Sequence, residues 1–179
     1  MQAQDILQFW FHELSDSQRF AKDEALDATL RTRFGATLQA ATRGELAGWR
    51  TTPEGRLAEI VVLDQFSRNI YRDTARAFAQ DALALVLAQE LVASGQDRNL
   101  PLEQRSFAYM PYMHSESALV HAQAVALFSQ PGLEDSLRSE LHHKATIDRY
   151  GRYPHRNVIL GRSSTPEELA FLSGPGSSF

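Results

Sequence analysis

The sequence predicts an all-α chain, and three observations carry the prediction. Apolar residues recur at a spacing near 3.6, and strict alternation is absent along all 179 residues. Helix start and stop signals, such as Thr52-Pro53, Gly95, Pro131-Gly132 and Thr165-Pro166-Glu167-Glu168, punctuate the apolar pattern. A hydrophobic fraction of 43% with 22% charged residues is that of an ordinary globular protein long enough to bury a sizeable core. A single helical domain over 1–179 is expected, with an irregular tail over 174–179.

The elements follow in order. Residues 3–13 read as a short helix with Ile6, Leu7, Trp10, Phe11 and Leu14 on one side. Asp23 is placed to cap a longer helix to about Thr42, in which Leu26, Leu30, Phe34 and Leu38 repeat at i, i+4 and which Gly44 ends. Thr52 followed by Pro53 opens a third, carrying Leu57, Ile60, Val61 and Leu63 to Phe66. A fourth runs from Phe78 or Asp81 to Ser94, with Gly95 beyond its end. Pro101 starts a fifth, which Pro111 should interrupt because proline lacks the amide and disfavours helix in the residue before it. Residues 116–129 and 133–150 form the next two, and Thr165 opens a last short helix to Leu172 through a capping box. Short connections between about seven or eight such helices imply antiparallel hairpins.

Composition excludes several classes of function. With no cysteine there can be no disulfide, thiolate nucleophile, iron–sulfur cluster or sulfur-ligated zinc. A formal charge of −4 and a pI of about 5.8 provide no global field for nucleic acid or an anionic membrane. The first residues carry Asp5, His12 and Glu13, without the basic and long apolar stretches of a signal peptide. The longest apolar run, Ala82 to Ala88, is far short of a membrane span, so a cytoplasmic protein is the default. Of the 18 basic residues only Lys22 and Lys144 are lysine, so arginine counts here by clustering rather than by presence.

Two polar blocks interrupt the apolar pattern: Asp64-Gln65-Phe66-Ser67-Arg68-Asn69-Ile70-Tyr71-Arg72 and Tyr150-Gly151-Arg152-Tyr153-Pro154-His155-Arg156-Asn157. Guanidinium, imidazole and amide groups crowded between core segments must pair with each other, with carboxylates or with a ligand. Asp64 and Arg68 stand at i, i+4, where their side chains can meet. The plain alternative for this block is a helix C-terminus whose cations complement the dipole, with Asn69 leaving in a left-handed conformation. In the second block Pro154 stiffens the loop and presents His155 and Arg156 on a fixed backbone, a presentation suited to a carboxylate or phosphate. The alternative is a structural network of arginines with Asp64, Asp73, Asp81, Glu116 and Asp148. His114-Ser115-Glu116 is a third polar group, and all three are expected to form one site.

Metal chemistry has little support, because no His-Glu-x-x-His is present and His114, Glu116, His143 and His155 lack ligand spacing on one helix turn. No phosphate loop, dinucleotide fingerprint or serine elbow occurs. His142 and His143 adjoin, so only one can face inward, and Phe9-Trp10-Phe11 reads as core.

Together with Phe78-Ala79, His114-Ser115-Glu116, Arg149 and Leu160-Gly161-Arg162, the Phe9-Trp10-Phe11 stripe and the two blocks resemble a bacterial family of unknown function, domain of unknown function nine-two-four, over nearly the whole length. The resemblance implies a fold similar to tetratricopeptide repeat proteins, although no repeat with a period of roughly 34 residues is readable. It implies no established activity. Family members typically have proline where Ser67 stands and phenylalanine where Tyr150 and Tyr153 stand, so the two tyrosines bring hydroxyls that need partners if buried. The resemblance also makes His143 the inward histidine.

Two functional readings follow. One is a binding module whose pocket, drawn from Arg68, Asn69, Arg72, Arg152, His155, Arg156 and Asn157, holds a small anion or an acidic peptide, with no cofactor or metal. The other is an acid/base enzyme, such as a metal-independent hydrolase, using His155 or His114 with Glu116 or Asp64.

Overall fold

In a computed structural model that describes residues 1–177, the chain is all-α, with no strand among the described residues. Among the described residues no helix is long and apolar enough to cross a membrane. Residues Met1–Arg72 and Arg76–Pro111 form one compact unit, and residues 73–75 with those from 112 onward form a second.

The first unit opens with α1 (Ala3–Gln8), which runs into a π turn over Phe9–Glu13. The short α2 (Asp16–Phe20) was not expected. It is closed by a capping box in which Ser15 accepts from the Gln18 amide and Gln18 accepts from the Ser15 amide. The helix α3 (Glu24–Thr42) is capped by Asp23 as expected, its carboxylate accepting from the amides of Ala25 and Leu26. Thr52 caps α4 (Pro53–Val61), which passes through a second π turn, Val62–Phe66, directly into α5 (Ser67–Ile70). Gly55 is required at the start of α4, because a Cβ there would lie 1.9 Å from the Trp49 carbonyl oxygen.

This continuous helical stretch is buried on nearly every side from Leu57 to Ile70 and packs on α1, on α3 and on α6 (Asp81–Ala93). Trp10, Phe34 and Phe66 are almost wholly buried around it, with Trp10 and Phe66 rings 5.6 Å apart. Phe9-Trp10-Phe11 is core, as read. The first polar block is therefore the second half of a central helix. Asn69 is helical rather than left-handed, and the non-glycine residue that takes a positive φ is Asp73, at 59°. The helix α7 (Leu102–Met113) corrects the expectation at Pro111, which lies inside it. One lost amide in the last turn removes a single hydrogen bond, and the helix ends two residues later at Met113.

The second unit is built on an antiparallel pair, α8 (Ala118–Phe128) and α9 (Glu134–Tyr150), joined through Gly132 at φ 90°. Gly151 ends α9 at φ 69°, donating its amide to the Ile147 carbonyl at 2.8 Å. A 3₁₀ turn over Pro154–Arg156 leads to α10 (Pro166–Leu172), whose Thr165–Glu168 capping box is as read. His121, Phe128, Ile147 and Tyr153 are buried here, and His143, rather than the exposed His142, is the inward histidine. Residues 174–177 are irregular; the rest of the expected tail, Ser178 and Phe179, lies outside the described residues.

Candidate functional site

The polar side chains of the first block are buried or half-buried, and the first unit supplies them with carboxylates. Asp64 is 1% exposed and lies 3.1 Å from Arg68 Nη1, the contact that the i, i+4 spacing predicts. Arg68 also grips Asp81 with two prongs, at 2.8 and 3.0 Å. Arg72 does the same to Asp27, at 2.6 and 2.8 Å, and Asn69 Nδ2 adds a third bond to that carboxylate at 2.8 Å. Burial works against ionising Asp27. The hydrogen bonds from Arg72 and Asn69, with the charges of Arg72 and Arg31, outweigh it and hold the carboxyl below its usual value.

The second block is organised the same way within the second unit, and His114 and Glu116 join it there. Glu116 accepts from the Tyr153 amide at 2.7 Å and from two Arg162 prongs at 2.6 and 2.9 Å. Burial alone would raise its pKa, but Arg162 and the Tyr153 amide more than reverse this and lower it. Arg152 takes Glu168 by two prongs, at 2.7 and 2.8 Å, and with the capping amide of Thr165 this holds Glu168 down at about 2. Asn157, wholly buried, donates to Ser164 Oγ and Glu168 and accepts from Arg162 Nε. Arg156 donates to the His114 carbonyl at 3.0 Å and lies 4.7 Å from the Tyr153 ring centre. His155 is half-buried, with its ring centre 5.5 Å from that of Tyr153.

Sequence reasoning missed Asp27, Glu168 and a buried pair, His121 and Glu140, as site residues, and named Arg162 only as part of the family resemblance. His121 Nδ1 lies 2.7 Å from Glu140 Oε1, and both residues are fully buried. A signal existed for most of these. Asp27 lies on the stripe with Leu30 and Phe34, Glu140 on that with His143 and Ile147, and Glu168 reads in the sequence only as a cap residue. An acid on the inward stripe of a helix demands a cation or a proton. Glu59, fully buried in α4 and bonded twice by Arg50 at 2.7 Å, repeats the pattern.

A cleft of about 410 Å³ opens in the first unit where Arg31, Gly35, Ala36 and Gln39 of α3 face Ile70, Tyr71 and Arg76. Its two arginines are bonded to neutral acceptors: Arg31 to the Ile70 carbonyl at 3.0 Å, and Arg76 to the Tyr71 hydroxyl at 2.6 Å while lying over that ring. Among the described residues no carboxylate lines it. A smaller cleft of about 280 Å³ is lined by Asp5 and Glu13 as well as Arg33, and Arg33 is paired with Glu13 at 2.8 Å. Among the described residues no three His, Asp or Glu side chains are grouped to hold a metal ion.

A family profile described as bacterial protein of unknown function (DUF924) matches residues 6–176. A solved structure of a protein of unknown function from Agrobacterium tumefaciens is 38% identical, with a TM-score of 0.91 over 96% of this chain and 97% of that one. No curated protein matches.

Proposed function

The chain belongs to the bacterial family of unknown function DUF924, and from that premise we propose that it is a helical binding module for a small anion or the acidic end of a peptide. The ligand sits in the cleft between Arg31 and Arg76. One observation carries the reading: these guanidinium groups face a cleft that no carboxylate of the described residues lines, in a protein of net charge −4. Arg68, Arg72 and Arg152, by contrast, are each spent on a carboxylate of their own unit. They act as locks that hold together the helices of their own units. A guanidinium fork matches carboxylate and phosphate geometry, and a cleft of this size falls in the range of small-ligand sites.

The acid/base alternative finds less support. Glu116 is committed to Arg162 and the Tyr153 amide and is held ionised, and Asp64 is committed to Arg68 and Gln65. A thermal-shift panel of phosphate, succinate and an acidic peptide tests the binding reading. Stabilisation of the parent protein should vanish in Arg31→Met/Arg76→Met. A parent that responds to no anion, or a double variant that responds fully, rejects it.

A further inference from the structure

Gly35 stands inside α3, a helix of 19 residues, and its backbone does not need glycine: its φ is not positive. Packing does not need glycine either, since a Cβ built there meets no described atom within 4 Å beyond its chain neighbours and its own helix backbone. Glycine inside a helix is a poorer helix former than alanine, so its presence lowers helix stability without serving the fold. What it does serve is the cleft. Arg31, Gly35 and Gln39 follow one another at i, i+4 along one face of α3, so the absent side chain leaves a notch between two polar neighbours. Ala36 and Ile70 extend that bare, apolar floor, while Arg31 and Arg76 supply charge.

Inorganic anions gain nothing from such a floor. A ligand with a compact apolar body beside its charge gains from both parts. Resting on the anion reading above, we infer that the occupant is an organic acid: a carboxylate on a compact apolar body that lies against the backbone at Gly35. The acid is either a free small molecule or the last residue of a peptide, and the two share this chemistry.

The experiment is a calorimetric titration of the full chain and of Gly35→Leu with 3-phenylpropionate, 3-phenylpropionamide, inorganic phosphate and an acetylated tripeptide ending in a free phenylalanine carboxylate. The leucine variant should keep or raise its Tm, leucine being the better helix former, while its projecting side chain fills the notch. The acid should bind the parent more tightly than the amide or phosphate does and lose roughly tenfold or more in affinity on Gly35→Leu. That behaviour from 3-phenylpropionate assigns a free acid, and from the tripeptide alone a chain terminus. Acid binding unchanged in Gly35→Leu overturns the inference. So does phosphate binding alone; if that binding is lost in Arg31→Met/Arg76→Met, the anion cleft itself stands. Binding of none of these probes overturns both.

Discussion

His121 and Glu140 share one proton in the core of the second unit. His121 Nε2 lies 2.8 Å from the Ser115 carbonyl and 3.2 Å from the Tyr153 hydroxyl. That hydroxyl spends its own hydrogen on the Met113 carbonyl at 2.5 Å, so both contacts require a hydrogen on Nε2. The 2.7 Å contact between Nδ1 and Glu140 Oε1 then needs a further proton, on one atom or the other. Burial raises the Glu140 pKa, and its Oε2 meets no polar partner among the described residues, which also favours a neutral carboxyl.

Glu140→Gln should therefore be tolerated, because an amide N–H can replace the carboxyl O–H toward Nδ1. The sign of the pH dependence follows from the raised pKa. The carboxyl's contribution is full below its unfolded value and is lost as pH rises through the folded one. Urea denaturation across pH should show the parent falling relative to Glu140→Gln as pH rises. Parallel curves would remove the proton from the pair.

His143 titrates with the opposite sign. Burial lowers its pKa to about 3, and its Nδ1–H donates to the Ser139 carbonyl at 2.7 Å. The neutral form's contribution is full above the unfolded value of 6.5 and is lost as pH falls toward about 3. The slope is about 1.4 kcal/mol per pH unit. His143→Gln should flatten this acid limb in the same denaturation series; an unchanged limb would assign the loss to other groups.

The two tyrosines of the second block should part company on losing their hydroxyls. The Tyr153 hydroxyl is bonded to Met113 and His121, so Tyr153→Phe should cost about 1–2 kcal/mol. The Tyr150 hydroxyl is buried with no partner among the described residues, and Tyr150→Phe should gain about 1 kcal/mol. Equal effects in thermal unfolding would contradict the assignment.

The lock reading of the first block predicts that Arg72→Met strands the buried Asp27 and costs about 2 kcal/mol or more. Arg31→Met, which breaks a bond to a carbonyl at an exposed position and removes a weaker attraction to Asp27, should cost less, about 1 kcal/mol at most. Denaturation midpoints of the two variants decide it.

Helix ends were legible in the sequence where their chemistry is local. Asp23, Thr52-Pro53, Gly95 and Thr165 each act within a few residues, and each ends or begins a helix as read. The five-residue α2 escaped because it is too short for apolar periodicity, although Ser15 and Gln18 carry its cap. The polar clusters were visible as crowding, but their partners were not. Asp27 meets Arg72 across 45 positions and Glu116 meets Arg162 across 46, distances that only tertiary folding closes. Arg31 and Arg76 passed unnoticed because both stand outside the two polar blocks; the fold alone sets them across one cleft.

The claim that Arg31 and Arg76 form the binding site is tested most directly by a proton–nitrogen NMR titration of the whole chain with 3-phenylpropionate and with phosphate. Amides around Gly35 and along Tyr71–Arg76 should move first and saturate together. Shifts centred on Arg152, His155 and Arg156, or no shift with either anion, would contradict it.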